Sequence, residues 1–552
     1  MNRPKIFIAA LAAVMMAGCD MFPTPTPNDK SGVKATLSDV YSDIIPTTGA
    51  ERINLASLSL VVDGNRVTDL SQYSSHCTVN VGGVEVIGQA RDVAVSANGI
   101  ISATIPVNNS ASERVHTISI LDKNSNVLAT ASVTQDKGDG SEDLTMEYVV
   151  HQRRSAKRGL SGHPQIESDI TMIAPGVSWV YNWGATAPFP ELMQQGNMLF
   201  LPMAWNANFG ADQMRAYKAA NPSAEYILAY NEPNLTDQAN MTPEVAASHW
   251  GALKAVAQEL GMKLISPAVN YGTLAGYSDP TKWLDEFFAC EGVSLDDVAG
   301  IAVHCYMPSG ESLKSFIRKF DKYGKPVYMT EFCHANNTIT NNEATQQNYM
   351  SDVLNYMECD DKVGGYAWFM LRGSGDWKAI SLVNSSAKEP ALTDLGKEYV
   401  WFSSFDKECY YPTEEAFPAA HYRSNNAEEV AEGTEWKNAP KIKASTDTTG
   451  EVMLTDFYST EMWVEYGVEV EKAGEYELLV RYSTFMDSTY KFTIDGNEVE
   501  HTFAGCYELG GTEVWKTTRV EPLTLSEGKH TLRMSLTQGR GSFNWMCLRK
   551  VK

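Results

Sequence analysis

The stretch Tyr226-Ile-Leu-Ala-Tyr-Asn-Glu-Pro-Asn234 decides the fold of the central part of this 552-residue chain. Its short apolar, aromatic-rich run is typical of a β-strand and ends abruptly at an Asn-Glu-Pro sequence. Proline lacks a backbone N–H and has a fixed φ, so Pro233 ends a central strand and leaves Glu232 where the strand opens into a loop. The run Pro326-Val-Tyr-Met-Thr-Glu-Phe332 has the same form and leads into Glu331. We therefore predict two strands that each present a glutamate at their carboxyl end.

Two carboxyl groups at one site suit glycoside hydrolysis. One carboxyl protonates the leaving oxygen, and the other attacks the anomeric carbon or activates water on the opposite face of the sugar. We assign Glu232 as the general acid/base and Glu331 as the nucleophile. The acid must hold a proton near neutral pH, so we expect burial and the neighbouring carboxylate to raise the pKa of Glu232. The alternative is that both are surface acids beside strand ends.

Composition limits the classes of partner. The length indicates several domains, and a hydrophobic content of 43% with 10% aromatic residues is ample for packed cores. A net charge of −23 disfavours nucleic acid and anionic membranes as partners and suits neutral glycans. The sequence has no metal-ligand spacing, phosphate-binding loop or Ser/Cys–His signature, so we expect no metal and no cofactor. We also expect a monomer.

The amino terminus predicts export. A basic start is followed by the apolar run Ile6–Met16, which is typical of a secretory signal and too short for a permanent membrane span. Met16-Ala-Gly-Cys19 resembles a bacterial lipobox, in which Cys19 becomes the lipidated first residue. Residues 1–18 would then be the signal peptide and residues 19–32 a tether. We expect a lipoprotein of the outer membrane or cell surface that meets the membrane only through its lipid anchor; a buried free cysteine is the alternative.

Changes in patterning divide the rest of the chain into three domains. Residues 33–140 carry short alternating runs between turn residues, which indicates an immunoglobulin-like β-sandwich acting as a spacer or platform. Residues 150–405 alternate eight strands with amphipathic segments, which predicts a (β/α)8 TIM barrel with Glu232 and Glu331 closing the fourth and seventh strands. Residues 415–552 return to strand patterning, which predicts a jelly-roll β-sandwich.

Eight motifs follow one another through the central domain. They are Lys157-Arg-Gly-Leu160, Ser178-Trp-Val-Tyr-Asn-Trp-Gly184, Leu201-Pro-Met-Ala-Trp205, Asn231-Glu-Pro-Asn234, Ser266-Pro-Ala268, Ile301-Ala-Val-His-Cys-Tyr306, Thr330-Glu-Phe332 and Tyr366-Ala-Trp-Phe369. In this order, over residues 155–405, they resemble glycoside hydrolase family 128, the Asl1-like group of the retaining (β/α)8 glycosidases. The resemblance implies endo-acting hydrolysis of β-1,3-glucans. The alternatives are a retaining hydrolase of another neutral β-glycan and a non-catalytic surface glycan-binding lipoprotein.

Polar residues beside the two glutamates are further site candidates. Asn231 precedes the acid and is placed to hold the 2-hydroxyl of the sugar under attack. His304 and Tyr306 alternate at the end of strand six, so both side chains can point to the same side. Tyr306 is expected to hydrogen-bond the nucleophile, and His304 to orient a carboxylate or a sugar hydroxyl. A turn-capping asparagine and a buried core histidine are the alternatives.

Aromatic residues at or beyond predicted strand ends are candidates to stack on pyranose rings. They are Trp179, Trp183, Trp205, Trp368 and Trp377. We expect Trp368 to form the floor of the cleavage subsite, whereas the others suit barrel packing equally well. Arg158, near the end of strand one, is a candidate to pair with a catalytic carboxylate.

The carboxyl-terminal domain resembles a family 6-type carbohydrate-binding module. Two positions depart from that pattern: His421 stands where an acid is usual, and Ser542 stands where a sugar-binding asparagine is common. Trp515 and Tyr458 are the candidate sugar contacts, with core packing as the alternative. We expect a chain ending near residue 410 to keep its activity on soluble oligosaccharides and to lose retention on insoluble glucan.

Overall fold

The computed structural model describes residues 33–68, 70, 74–81, 84–87, 91–105, 108, 113–121, 127–137, 146–386, 389–433, 435–507 and 513–551. The signal peptide, Cys19 and the tether lie outside these residues, so their assignments stay predictions. The chain divides into two compact units, residues 1–143 and 144–552. Within the described ranges, none of the helices is long and apolar enough to cross a membrane.

The first unit is built from antiparallel strands. They are β1 (Val33–Ser38), β2 (Ala50–Val62), β3 (Asn65–Arg66), β4 (Ser74–Val81), β5 (Val84–Ile87), β6 (Arg91–Val95), β7 (Ile100–Ile105), β8 (Arg114–Leu121) and β9 (Val127–Gln135). One sheet has the order β1-β2-β7-β6, with β3 paired to β2, and the other has the order β5-β4-β8-β9. Burial alternates along β7 and β8, as expected for strands with one core-facing side. The immunoglobulin-like assignment stays a prediction.

The second unit begins with alternating strands and helices. They are β10 (Arg158–Ser161), α1 (Glu167–Ile173), β11 (Trp179–Tyr181), α2 (Pro190–Gln195), β12 (Leu199–Phe200), α3 (Ala211–Ala220), β13 (Tyr226–Leu228), α4 (Pro243–Leu260), β14 (Lys263–Ile265), α5 (Pro280–Ala289), β15 (Val298–Met307), α6 (Gly310–Arg318), β16 (Val327–Asn336), β17 (Thr338–Ile339), α7 (Glu343–Cys359), β18 (Val363–Phe369) and α8 (Asp394–Trp401). Short 3-10 helices cover Leu295–Asp297, Asp321–Tyr323 and Gly375–Ile380.

Eight parallel strands of this region form one curled, TIM-like sheet. Its order is β12-β11-β10-β18-β16-β15-β14-β13, with β17 added antiparallel to β16. A parallel bridge between Met203 and Leu228 joins the two ends of this order. The predicted alternation of strands and helices is confirmed, and Glu232 and Glu331 belong to the fourth and seventh strands of the sheet. Both glutamates therefore lie at its carboxyl-terminal edge, where enzymes of this architecture assemble their sites.

The helix α4 illustrates how local sequence sets these elements. Thr242 caps the helix by accepting a hydrogen bond from the backbone N–H of Val245, and Pro243 occupies the first turn. Gly261 ends the helix with a φ of 61°, a left-handed conformation that glycine adopts without strain. The buried face includes Trp250, whose ring packs against Phe287 of α5. The helix α4 is one of the amphipathic segments that the sequence places between the strands.

The carboxyl-terminal part of the second unit is a β-sandwich. Its elements are β19 (Tyr411–Pro412), β20 (Phe417–Pro418), β21 (Ser424–Asn425), α9 (Ala427–Glu432), β22 (Lys441–Ala444), β23 (Val452–Thr455), β24 (Trp463–Val470), β25 (Gly474–Ser483), β26 (Ser488–Ile494), β27 (Asn497–Phe503), β28 (Lys516–Leu525), β29 (Gly528–Gln538) and β30 (Ser542–Lys550). One sheet has the order β19-β24-β29-β26-β27 and the other β22-β23-β30-β25-β28; β21 and β20 add to β24 and β30. The predicted β-sandwich is confirmed.

Buried polar contacts join this sandwich to the barrel helices. The Lys314 ammonium on α6 donates 2.6 Å hydrogen bonds to the carbonyl oxygens of Val430 and Gly433. On α7, Asn355 Oδ1 accepts a hydrogen bond of 2.6 Å from the Tyr422 hydroxyl. Without the sandwich, Lys314 and Asn355 would lose these hydrogen-bond partners, and an unpaired buried polar group costs folding free energy. The sandwich is therefore part of one folded unit with the barrel, and the sequence-based expectation of a separable module is at odds with this interface.

Candidate active site

Glu232 sits in a sharp turn just beyond β13. Its backbone φ is 43°, in the left-handed region that a glutamate rarely adopts, and its N–H donates to the carbonyl of Ala268 at 2.9 Å. Asn231 and Ala268 form a parallel bridge that extends the pairing past the regular strand. Backbone strain of this kind is typical of active sites held in place by their surroundings. The turn brings a mostly buried carboxylate into a cleft.

Glu331 on β16 is surrounded by hydrogen-bond donors. Its Oε1 accepts a bond of 2.7 Å from Trp183 Nε1 and one of 3.0 Å from the Tyr181 hydroxyl. Its Oε2 accepts a bond from the Tyr306 hydroxyl. These three donors hold the Glu331 carboxyl group in one orientation within the site.

His304 lies between the two glutamates. Its Nδ1 is 2.9 Å from Glu232 Oε1 and 3.4 Å from Glu331 Oε2, and the side chain is fully buried. Burial by itself lowers the pKa of His304, but the charges of Glu331 and Glu232 and the hydrogen bond to Glu232 outweigh it, so that the pKa is raised above 6.5. The imidazole is thus the favoured place for a proton at this site.

The pKa of Glu232 departs from the sequence prediction. Burial raises it, but the charge of His304 and hydrogen bonds from His304 and Asn270 outweigh burial, and the pKa is lowered below 4.5. The sequence prediction of a raised pKa considered burial and the second carboxylate, but no positive charge beside Glu232. The histidine between the two carboxylates reverses the sign, because it supplies a compensating positive charge.

The same three residues are the only cluster in the described ranges with the composition and spacing of a cation site. One ligand atom from each of Glu232, His304 and Glu331 lies within 4.8 Å of the others. Donors from Trp183 and the two tyrosines already occupy Glu331, and His304 faces Glu232 through Nδ1. This arrangement favours proton transfer between the side chains over metal binding.

A cleft of about 800 Å³ opens above the glutamates. Its lining residues are Trp183, Trp205, Asn231, Glu232, Leu235, Asp237, Gln238, Asn270, Tyr306, Glu331, Ala335, Asn337, Thr338, Ile339, Phe369, Met370 and Trp377. The charged members of this lining are all acidic. Aromatic side chains alternate with amide and carboxyl groups, a combination suited to an uncharged ligand that offers both apolar faces and hydroxyl groups.

The structure separates the predicted tryptophans into two groups. Trp183, Trp205 and Trp377 line the cleft. Trp368 is fully buried, its Nε1 donates to the carbonyl of Ile380 at 2.9 Å, and it is core rather than the predicted subsite floor. Trp179 is also core: its ring occupies the space that a side chain at Gly159 would need. For both residues the predicted sugar contact is wrong.

Arg158 is far from the role that the sequence suggested. It is the first residue of β10, at the amino-terminal end of the strand and opposite the catalytic edge. Its guanidinium forms a buried ion pair of 2.7 Å with Glu358 of α7 and donates to the hydroxyl of Tyr366 at 3.0 Å. The predicted pairing of Arg158 with a catalytic carboxylate is wrong. The sequence analysis placed Arg158 near the end of strand one, whereas in the structure Arg158 begins that strand.

Several site residues were missed from sequence. The Tyr181 hydroxyl donates to Glu331 Oε1, Asn270 donates to Glu232 Oε1 at 3.3 Å, and Phe369 and Gln238 line the cleft. A signal for Tyr181 existed: it alternates with Trp183 at the end of strand two, as His304 and Tyr306 do on strand six. Asn270 and Gln238 lie in loops, where sequence periodicity carries no such signal.

The sugar-contact candidates of the sandwich are held in different surroundings. Trp515 Nε1 donates to Thr446 Oγ1 at 3.1 Å, and Tyr458 is 44% exposed. Burial, with smaller contributions from Asp352 and Asp456, raises the pKa of Tyr458 to about 12. The binding role of Trp515 and Tyr458 stays a prediction.

The two departures from the sugar-module pattern are internally bonded. His421 is buried, with Nε2 2.9 Å from the carbonyl oxygen of Trp401, and burial lowers its pKa to about 4. Ser542 Oγ lies 2.9 Å from Thr455 Oγ1. Each side chain therefore has a structural partner within the second unit.

Comparison with known proteins agrees with the geometry of the central domain. Residues 160–399 match the family model described as a glycosyl hydrolase catalytic core. The central domain is a glycoside hydrolase. Residues 438–548 match a carbohydrate-binding module, of family 35 rather than the family 6 type expected from the sequence. Strand patterning alone did not distinguish the two families.

Three relatives illustrate what parts of this chain resemble. Alkali-sensitive linkage protein 1 of Schizosaccharomyces pombe is 24% identical over 261 residues, which are 45% of this chain and 44% of that protein. The cycloisomaltooligosaccharide glucanotransferase of Niallia circulans is 29% identical over 122 residues, 21% of this chain and 12% of that protein. The chain thus spans less than half the length of the curated relatives it matches. A solved GH128 subgroup II endo-β-1,3-glucanase from Pseudomonas viridiflava is 34% identical and covers 45% of this chain and 98% of its own, with a TM-score of 0.42.

Proposed function

We propose that the protein is a retaining endo-β-1,3-glucanase that acts by double displacement through Glu331 and Glu232. The observation that carries this proposal is that carboxylate oxygens of Glu232 and Glu331 lie within 4.8 Å of each other. Retaining enzymes hold their carboxyl groups roughly 5–5.5 Å apart, whereas inverting enzymes leave roughly 6.5–9.5 Å for a water molecule. The short separation favours direct attack by one carboxylate on the anomeric carbon.

In the first step Glu331 attacks the anomeric carbon, and Glu232 gives the proton that it shares with His304 to the leaving glycosidic oxygen. The anomeric C–O bond breaks while a bond to Glu331 forms. In the second step Glu232, now ionised, takes a proton from water, whose oxygen displaces Glu331 from the anomeric carbon. Two displacements at one carbon restore the original β configuration.

The donors around Glu331 have a distinct part in this cycle. Trp183 Nε1, the Tyr181 hydroxyl and the Tyr306 hydroxyl fix the carboxylate in one orientation. They also stabilise the negative charge that returns to Glu331 as the glycosyl–enzyme bond breaks. A nucleophile held in this way is preorganised and needs little rearrangement in the transition state.

The substrate class follows from the cleft together with the family resemblance. The acidic and aromatic lining favours a neutral glycan, and the open cleft of about 800 Å³ favours internal segments of a chain over a single terminal sugar. The motifs shared with glycoside hydrolase family 128 indicate β-1,3 linkages. Another neutral β-glycan is the second candidate. A purely glycan-binding role is disfavoured, because both carboxylates and their hydrogen-bond partners are present.

The remaining parts extend this proposal. The match of the sandwich to a carbohydrate-binding family supports a polysaccharide or oligosaccharide partner, and we assign the sandwich to binding the same glucan. Cys19 would anchor the protein to the outer membrane or cell surface after removal of residues 1–18. The enzyme would work as a monomer, without a cofactor and without nucleic acid.

The test is hydrolysis of a panel of purified glucans with β-1,3, β-1,4, mixed and β-1,6 linkages, with the released oligosaccharides identified by mass spectrometry and linkage analysis. We expect β-1,3-linked oligosaccharides of several lengths from the linear β-1,3-glucan. The Glu331→Gln protein, purified in parallel, excludes a contaminating hydrolase. Release from β-1,4-glucan alone would favour the second candidate.

A further inference from the structure

The loop after Glu232 folds back over Asn231. Residues 231–241 return so that the N–H of Ala239 donates to the carbonyl of Asn231 at 3.2 Å. The return brings Gln238 against the Asn231 side chain, and Asn231 Nδ2 donates to Gln238 Oε1 at 3.2 Å. Both side chains line the cleft, and Asn231 is only 3% exposed.

This contact leaves one end of the Asn231 amide without a protein partner. Asn231 Oδ1 is buried, and no described residue donates a hydrogen bond to it. A buried carbonyl oxygen that lacks a donor is costly, and native structures retain one mainly where a ligand or water completes it. Asn231 borders the cleft next to Glu232, so a hydroxyl group of a bound sugar can donate the missing hydrogen bond to Asn231 Oδ1.

We propose that Gln238 is a positioning residue, whose Oε1 holds the Asn231 amide with Oδ1 toward the substrate, so that Oδ1 accepts a hydrogen bond from the 2-hydroxyl of the sugar under attack. The inference rests on the proposed function, which places the anomeric carbon between Glu232 and Glu331. The 2-hydroxyl is on the neighbouring carbon, and contacts to it strengthen in the transition state. Gln238 would thus act on the reaction rate without touching the substrate.

The loop does not need the Gln238 side chain to close. The N–H of Leu235 donates to the carbonyl of Glu232 at 3.0 Å, and that of Met241 to the carbonyl of Pro233 at 2.8 Å. The N–H of Thr236 donates to Thr273 Oγ1 at 2.9 Å. A substitution at Gln238 is therefore expected to change the orientation of one amide and to leave the loop folded.

The test compares two substitutions. Gln238→Glu keeps an oxygen that can only accept from Asn231 Nδ2, whereas Gln238→Met removes the polar group at similar length. Thr236→Val, in the same loop but outside the cleft lining, controls for a general disturbance of the loop. Each protein is assayed on an aryl β-1,3-glucooligosaccharide and on its analogue that lacks the 2-hydroxyl on the reacting sugar, with kcat and KM determined separately and unfolding temperatures matched.

We expect Gln238→Met to lower kcat/KM about tenfold on the hydroxylated substrate, mainly through kcat, and less than about twofold on the 2-deoxy analogue, as the loss of one hydrogen bond predicts. Gln238→Glu and Thr236→Val should stay within about threefold of the wild type on both. An equal loss on both substrates in Gln238→Met would overturn the proposal. A Gln238→Glu enzyme as impaired as Gln238→Met would also overturn the proposal. That result would mean that Gln238 donates to Asn231 Oδ1 instead of accepting from Asn231 Nδ2. Wild-type inactivity on both substrates would instead overturn the proposed function, and this role with it.

Discussion

The Nδ1 atom of His304 lies 2.9 Å from Oε1 of Glu232, within hydrogen-bonding distance of a carboxyl group that lines the cleft. Burial opposes both shifts, but the charges of Glu331 and Glu232 raise the pKa of the imidazole, and the charge of His304 lowers the pKa of the Glu232 carboxyl. In the proposed mechanism, this pair of residues therefore holds the proton for the leaving group. This arrangement differs from an acid whose proton is retained by burial and by a second carboxylate alone.

The pH dependence should report this pair. Activity requires the shared proton, and the raised pKa of His304 means that the proton is lost only above pH 6.5. We expect the alkaline limb of kcat/KM to lie above that value. In His304→Asn the proton must reside on Glu232 alone, so the limb should move to lower pH by about one unit or more. An unchanged alkaline limb in the variant would show that His304 takes no part in holding the proton.

Chemical rescue should distinguish the roles of the two glutamates. Glu331→Gln and Glu232→Gln should each lower hydrolysis at least about a hundredfold while keeping the wild-type unfolding temperature. Azide should restore turnover to Glu331→Ala by entering the vacated space, giving a glycosyl azide of inverted anomeric configuration. Azide entering from the face of Glu232 would give the opposite configuration, and the assignment of the two roles would then be reversed.

A buried carboxyl at the sandwich interface should make stability fall with rising pH. Glu398 on α8 accepts a hydrogen bond from the N–H of Ala444 at 3.2 Å, and burial raises its pKa from 4.5 to about 8. The folded state keeps the proton that the unfolded chain releases, so the free energy of unfolding falls between about pH 4.5 and pH 8. Lys443, Asp394 and Lys441 are the neighbouring charges that modify this pKa.

Glu398→Gln should remove this contribution. At pH 7 the shift corresponds to about 3 kcal/mol, so the variant should be more stable than the wild type there and nearly equal to it at pH 4.5. Thermal unfolding at the two pH values measures the difference. A wild-type advantage at pH 7 would contradict a neutral Glu398 in the folded protein.

The sandwich should be required for folding of the barrel. Lys314→Met leaves the carbonyls of Val430 and Gly433 without a donor, and we expect it to lower the free energy of unfolding by roughly 2 kcal/mol or more. Lys322→Met, which removes an exposed lysine paired with Asp285, should cost less than about 1 kcal/mol. A chain ending at residue 410 should fail to give folded, active protein; full activity from it would show that the interface is dispensable.

The sequence predicted the catalytic edge because strand ends have strong local signals. Apolar runs that stop at Glu-Pro or lead into a glutamate located Glu232 and Glu331, and alternation located His304 and Tyr306. The same reasoning failed for Trp368, because on β18 the cleft-facing position is its neighbour Phe369. A shift of one residue along a strand exchanges the cleft and core sides, and composition does not reveal which side is which.

Two further differences arose from tertiary contacts that no local pattern encodes. Arg158 is satisfied by Glu358, which is 200 positions away in the sequence. The pKa of Glu232 depends on a histidine that arrives from another strand of the sheet. Loop residues such as Gln238 and Asn270 likewise reach the site through chain reversals, and the sequence pattern does not predict the path of these loops.

The most direct test of the proposed mechanism is the anomeric configuration of the first product. Proton NMR of the reducing ends, recorded within the first minutes of hydrolysis of a β-1,3-glucan and before mutarotation, distinguishes the two anomers. The close approach of Glu232 and Glu331 predicts that the β-anomer forms first. Initial release of the α-anomer would mean inversion by an activated water, and would contradict Glu331 as the nucleophile.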